Sequence, residues 1–161
     1  MLSKQPATNN NIDTLLVPIG GGGLISGIAF AVKNLNKKVK KVGYSLIMPL
    51  AWLKHLALED LYQVDMRPTI ADGLAGKEAS ESTLGMIQRY VDEIVLVSEE
   101  QTEEGVLTLL RNDHVLAEPS GAAGVAAIMY SYRSKRGETV AAVVSGGNIE
   151  VSYLTRLLNR K

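Results

Sequence analysis

The 161-residue chain has no cysteine, only two histidines (His55 and His114), no long run of like charge and no apolar stretch long enough to span a bilayer. Each absence closes off a class of function. Without cysteine there is neither a disulfide nor a thiolate metal ligand, and two imidazoles are a poor basis for a zinc site. Seventeen basic and seventeen acidic side chains cancel, which leaves no electrostatic footprint for nucleic acid or an anionic membrane. The longest apolar stretches, residues 20–32 and 121–129, are short and rich in Gly and Ala, whereas a membrane helix needs about 20 apolar residues. Residues 1–11 are polar, with Pro6 and three asparagines from Asn9. They lack the basic and then apolar layout of a signal peptide, so the cytoplasm is the default location.

With 46% hydrophobic and 21% charged residues the composition is that of an ordinary globular protein. The length predicts one domain, placed over residues 12–161 behind a flexible leader at 1–11.

The chain is organised around Val17-Pro18-Ile19-Gly20-Gly21-Gly22-Gly23-Leu24-Ile25-Ser26-Gly27. A short apolar run meets four glycines and passes directly into a helix-like segment, residues 24–35, so the stretch reads as strand, bare loop and helix start. Residues without Cβ leave backbone N–H groups uncovered, and the positive end of the helix dipole falls at the same spot. An anion such as phosphate fits there; the alternative is a glycine-rich turn that lets strand and helix pack closely. The literal nucleotide signatures are absent. Glycines at offsets zero, two and five fail at Ile25 or Ser26, and no Gly-Lys-Ser/Thr follows for a P-loop.

Further along, five lysines within residues 33–41 suit a helix end and a solvated surface. Residues 42–48 read as a second strand and 49–61 as a helix opened by Pro49, with Leu50, Leu53, Leu56, Ala57 and Leu61 at helical spacing. Trp52 and His55 on that segment fit a core or interface role. Asp72-Gly73 marks a turn. A helix over 80–91, a strand over 93–97 and a helix over 99–111 capped at Ser98 or a neighbour follow. Next come a small-residue helix over 120–132, a last strand over 139–144 and a final helix over 150–158. Four strands, each followed by a turn and a helix, predict an α/β fold with a parallel twisted sheet. Its strand-to-helix loops then share the carboxyl edge, so the loops at Gly20 and Ser145 face one crevice.

Four markers stand in order: VPIGGGGLISGIA from Val17, TIADGLAG from Thr69, AEPSGAAGVAA from Ala117 and VVSGGNI from Val143. Together they resemble the threonine/serine dehydratase branch of the fold-type II pyridoxal-phosphate enzymes, over residue 12 to the chain end. The resemblance implies the C-terminal part of the larger domain in that fold, with pyridoxal 5'-phosphate as cofactor. It implies a phosphate contact by Gly20, Gly21, Gly22, Gly23 and the N–H of Leu24, with Ser145 facing the pyridine nitrogen. Gly73 and Glu118 correspond to positions lining the cofactor cleft; the alternative for Glu118 is a buried carboxylate fixing the start of the following helix. The implied reaction is elimination from a hydroxy-amino acid to a 2-oxo acid and ammonia.

Two departures qualify that expectation. The family's Schiff-base lysine, in a serine-x-lysine-x-arginine-type stretch, has no counterpart here, and Lys33, Lys54 and Lys77 match no family lysine. The chain alone is therefore predicted to be inactive, with no catalytic residue of its own. Candidate partners are an N-terminal half in trans and a second copy of the chain. The other expectation is a non-catalytic phosphate- or pyridoxal-phosphate-binding module or assembly partner. Where relatives often read VGVEP, with a cation-binding glutamate, this chain has Ser45, so no metal site is expected.

Overall fold

The computed structural model describes residues 12–47, 68–75 and 80–160. The expected leader at 1–11 and helix at 49–61, with Trp52 and His55, lie outside the described residues, as do Lys54, Gly76 and Lys77.

Among the described residues, strand β1 is Thr14–Pro18, helix α1 Gly23–Leu35 and strand β2 Lys40–Leu46. A 3-10 turn, Asp72–Leu74, precedes helix α2 (Glu81–Tyr90) and strand β3 (Glu93–Val97). Helix α3 (Glu99–Thr108) widens into a π turn at Leu109–Asp113, and helix α4 (Pro119–Ala126) into another at Ala127–Ser131. Strand β4 (Val140–Ala142) and helix α5 (Val151–Leu158) complete the order.

The four strands form one sheet in the order β3-β2-β1-β4, parallel throughout, with Leu16 opposite Val42 on one side and Ala142 on the other. The chain winds outward from β1 to β3, then crosses back to place β4 on the far side of β1. The direction of winding thus reverses between β1 and β4, and in open α/β sheets ligands enter at the carboxyl ends of the strands flanking that reversal.

Alternation along β1 sends successive side chains to opposite faces. Val17 and Ile19 pack with Ile25 of α1 and Leu84 and Ile87 of α2. On the other face Leu16, Val42, Tyr44 and Leu46 meet Ala123, Ala126 and Ala127 from α4 and its π turn. Each fully buried Leu or Ile contributes roughly 1.5–3 kcal/mol relative to exposure. A third cluster joins α3, α4 and α5 through Val106, Leu107, Ala122 and Leu157. Small residues set the helix spacing: a Cβ on Gly105 would stand 2.7 Å from the Ala122 carbonyl oxygen.

Several bounds differ from the sequence expectation. Pro119 belongs to α4 as its first residue, where proline loses no intrahelical bond. The last strand shrinks to three residues, because beyond Ala142 the chain turns toward the crevice after one more bond, from the Val143 N–H to the Leu16 carbonyl. The helix expected to run to residue 111 ends instead in the π turn, closed by His114 in the left-handed region at φ 56°.

Candidate functional site

The residues before the four glycines are held at two points. The Ile19 N–H donates to the Tyr44 carbonyl at 2.8 Å, and the Ser45 hydroxyl donates to the Ile19 carbonyl at 3.1 Å. Beyond them Gly22 takes φ 86°, a left-handed value that suits glycine, and starts α1 with no capping side chain and no acid in the first turn. Two of the other helices contrast with this: α2 and α3 carry full capping boxes from Ser80 with Thr83 and from Ser98 with Gln101, whereas α4 and α5, like α1, have no side-chain cap. Helix geometry leaves the first-turn N–H groups of α1 without intrahelical acceptors. Around Gly21 and Gly23 the space where a Cβ would stand is open.

Three other loops close around this one. The Gly73 carbonyl oxygen occupies the place a Cβ on Gly20 would need. The Gly73 N–H is shared between Asp72 Oδ1 at 2.8 Å and Ser120 Oγ at 3.0 Å. Glu118 accepts from the Asn148 N–H at 2.9 Å through Oε2, and its own N–H donates to the Gly146 carbonyl at 3.2 Å. A Cβ on Gly146 would collide with the Glu118 carboxylate, and one on Gly121 would stand 2.7 Å from the Gly146 carbonyl oxygen. The loops meet where at least one side has no side chain.

The result is a cleft of about 190 Å³ lined by Pro18, the four glycines, Leu24, Gly73, Leu74, Glu118, Ser120 and Ser145. Gly20, Gly21, Gly22, Gly23, Leu24, Gly73, Glu118 and Ser145, singled out from sequence, are all brought together there. Glu118 is half-buried at the residue before α4 but makes no capping bond to that helix; its carboxylate ties the loop after β4 instead. Ser120 was not singled out. Its signal was its place directly after Pro119 in AEPSG, where a serine enters the first turn of a helix.

The lining contains no Lys, Arg or His. Lys33 lies in the last turn of α1, at the opposite end of that helix from the cleft. Among the described residues no group of three His, Asp or Glu is arranged to hold a metal, and no helix is long and apolar enough to cross a membrane. Ser45 is buried and bonded to Ile19.

Two ion pairs and the hydrogen bonds of Glu138 lie at the amino edge of the sheet, while Arg160 pairs with Glu103 on α3. Lys40 pairs with Glu93, and the Lys40 ammonium is held above its ordinary value chiefly by that hydrogen bond. Lys41, 1% exposed, meets Asp92 at 2.7 Å. Glu138 accepts from Thr14 at 2.5 Å, from Tyr132 at 2.6 Å and from the Lys135 N–H at 2.7 Å. The cleft at the carboxyl edge holds none of these pairs; an anion there meets backbone dipoles, the hydroxyls of Ser120 and Ser145, and the carboxylate of Glu118, which is tied to the Asn148 N–H.

Fold and cleft together define a doubly wound α/β protein whose ligand crevice lies where that class places it. Residues 4–146 match the model of the family described as pyridoxal-phosphate dependent enzyme, and the chain belongs to that family. It is 39% identical to the L-threonine ammonia-lyase of Thermotoga maritima over 150 residues, which is 93% of this chain and 37% of that protein. It is 34% identical to a catabolic L-threonine dehydratase of Staphylococcus aureus, over 92% of this chain and 44% of the relative. The chain thus spans less than half the length of these curated relatives. Its structure resembles the crystal structure of the T.th. threonine deaminase with a TM-score of 0.80 and 30% identity, covering 87% of this chain and 47% of that one. Maize serine racemase follows at TM-score 0.79 and 27% identity, covering 93% and 47%. The fold is that of the fold-type II, threonine/serine dehydratase-like members, and the family's cofactor is pyridoxal phosphate.

Proposed function

We propose that this chain is the cofactor-phosphate-binding part of a threonine/serine dehydratase-like ammonia-lyase, acting in the cytoplasm on a small hydroxy-amino acid. The observation that carries the proposal is the meeting of the tetraglycine loop, Gly73, Glu118 and Ser145 in one cleft without a cationic side chain. The cradle fits the phosphate of pyridoxal phosphate: there is room beside Gly21 and Gly23, and uncovered N–H groups converge at a helix start.

Bound pyridoxal phosphate supplies an electron sink for loss of the α-proton and the β-hydroxyl. The chain's own residues hold and tune it. The N–H groups of Gly21, Gly22, Gly23 and Leu24 would hold the phosphate at the start of α1. Ser145, on the loop that follows β4, would offer the ring nitrogen a neutral hydroxyl, which would not keep that nitrogen protonated as a carboxylate does. Glu118 fixes the Ser145 loop by accepting the Asn148 N–H.

The described cleft offers no lysine to attach the cofactor or to take the α-proton, so the chain on its own is proposed to be inactive. Deamination of L-threonine and L-serine, assayed with pyridoxal phosphate and with or without an added segment carrying the family's lysine stretch, tests this. Turnover appears only with the added segment; robust turnover by the chain alone overturns the proposal.

The same absence of a cation and a nucleophile favours a second reading, a non-catalytic module that binds phosphate or pyridoxal phosphate or serves as an assembly partner. Titration with pyridoxal phosphate and with nucleotides separates the two, since a preference for a nucleotide speaks against the lyase.

A further inference from the structure

Ser120 is buried to 6% exposure at the start of α4 and lines the cleft beside the tetraglycine loop. Its oxygen accepts the Gly73 N–H at 3.0 Å. The seat is tight, because a Cβ on Gly73 would stand 2.9 Å from that oxygen and 3.0 Å from the Ser120 Cβ. Gly73 in turn presses its carbonyl against Gly20, so one residue separates the hydroxyl from the loop. A hydroxyl carries one donor as well as its lone pairs. Here the oxygen has a partner, while the hydrogen has no acceptor among the described residues. The Gly73 bond satisfies the oxygen and leaves the hydroxyl hydrogen free to turn toward the cleft that Ser120 lines.

We propose that Ser120 is a ligand-binding residue whose O–H donates to the phosphate held by the tetraglycine loop. The inference rests on the phosphate-cradle reading above and adds a side-chain donor to it. The Gly73 bond orients the oxygen, and Pro119, which has no N–H, leaves Ser120 as the first donor-bearing residue of α4. With no cation in the lining, a fixed neutral donor carries more weight than it would beside an arginine.

The test is equilibrium titration of the full chain with inorganic phosphate, pyridoxal phosphate and pyridoxal, comparing wild type with Ser120→Ala, Ser120→Thr and Ser120→Cys. A hydrogen bond to a charged acceptor predicts that S120A weakens inorganic phosphate and pyridoxal phosphate by about tenfold or more and leaves pyridoxal unchanged. S120T, which keeps the hydroxyl, restores binding to within about threefold. If S120A unfolds, S120C decides, because it keeps the volume and weakens the donor; the same selective loss is expected.

Unchanged phosphate affinity in a wild type that binds phosphate and in S120A overturns the inference alone. So does an equal loss for pyridoxal, which marks Ser120 as purely structural. A wild type that binds neither phosphate nor pyridoxal phosphate overturns the cradle reading and this inference with it.

Discussion

The Tyr44 hydroxyl, on β2, donates to the Val143 carbonyl oxygen at 2.9 Å, reaching across β1 to the far side of the sheet. Gly124 makes the passage possible, since a Cβ there would stand 3.0 Å from both the ring and the hydroxyl oxygen. Val143 lies two residues before Ser145, so the bond reaches the root of a cleft-lining loop. Burial pushes the phenol well above its ordinary value, which keeps it a donor at any working pH. Tyr44→Phe keeps the ring and strands the carbonyl, and is expected to cost about 1–2 kcal/mol. Urea unfolding measures it; a loss below a few tenths would mean that water replaces the phenol.

Gly20 and Gly21 are neighbours with opposite tolerances. A side chain on Gly20 runs into the Gly73 carbonyl, whereas one on Gly21 meets nothing within 4 Å. Gly20→Ala is expected to destabilise the fold by about 1–3 kcal/mol through overpacking. Gly21→Ala should stay within about 0.5 kcal/mol of wild type yet weaken pyridoxal phosphate, because its methyl adds bulk to the loop proposed to hold the phosphate. Paired thermal melts and ligand titrations separate the two effects, and equal behaviour of the variants would contradict the geometry.

Asp92 clamps the starts of β2 and β3, accepting from Lys41 Nζ and from the Lys41 N–H, each at 2.7 Å. Burial pushes the Asp92 carboxyl up, but the bonds and charge of Lys41, with Lys33 beyond, outweigh it and hold the carboxyl below its ordinary 3.8. A lowered folded value means that the clamp's contribution is complete above the unfolded value and fades as pH falls through the folded one. Asp92→Asn leaves Lys41 buried without its countercharge. The expected loss at neutral pH is on the order of 2 kcal/mol, less than for a fully buried pair because Asp92 is partly exposed. Denaturant midpoints at pH 7 and pH 3 check it: the gap between variant and wild type should narrow in acid.

Glu138 is held down to about 2 by its bonds from Thr14, from Tyr132 and from the Lys135 N–H. Its contribution is therefore fully present above pH 4.5 and is lost as pH falls from there toward about 2. Glu138→Gln should flatten the acid limb of the stability curve over that window while leaving pyridoxal phosphate affinity alone, since Glu138 lies at the amino edge of the sheet. A series of melts from pH 5 to about pH 2 shows whether the limb flattens.

Much of this was legible from sequence because it is local. Glu93–Val97 is a short β-branched and apolar run that reads as a strand, Ser98 and Gln101 stand at capping-box spacing, and the four glycines announce a loop whose backbone can be approached. The cleft residues came through the order of four short motifs. What stayed hidden depends on distant partners. Nothing near Glu118 in sequence says that its carboxylate serves Asn148 rather than its own helix, and nothing near Ser120 says that its oxygen faces Gly73. The π turns have no local breaker to announce them, since 109–113 and 127–131 contain neither Gly nor Pro. The brevity of β4 reflects a chain diverted toward the crevice after three residues, although 139–144 has the composition of a longer strand.

The placement of β4 beside β1 has a consequence for how the molecule comes together. β1 and β2 pair across a short connection, and β2 and β3 follow, but Asp13 and Thr139, which join the roots of β1 and β4, stand 126 residues apart. Closing so long a loop is entropically the most expensive pairing in the sheet, and contacts of this kind set the pace of folding. The cleft spans that same junction, with its glycines after β1 and Ser145 after β4. Ligand affinity should therefore return late during refolding, after the helical signal and together with burial of Tyr44, whose hydroxyl reaches Val143 across the same junction.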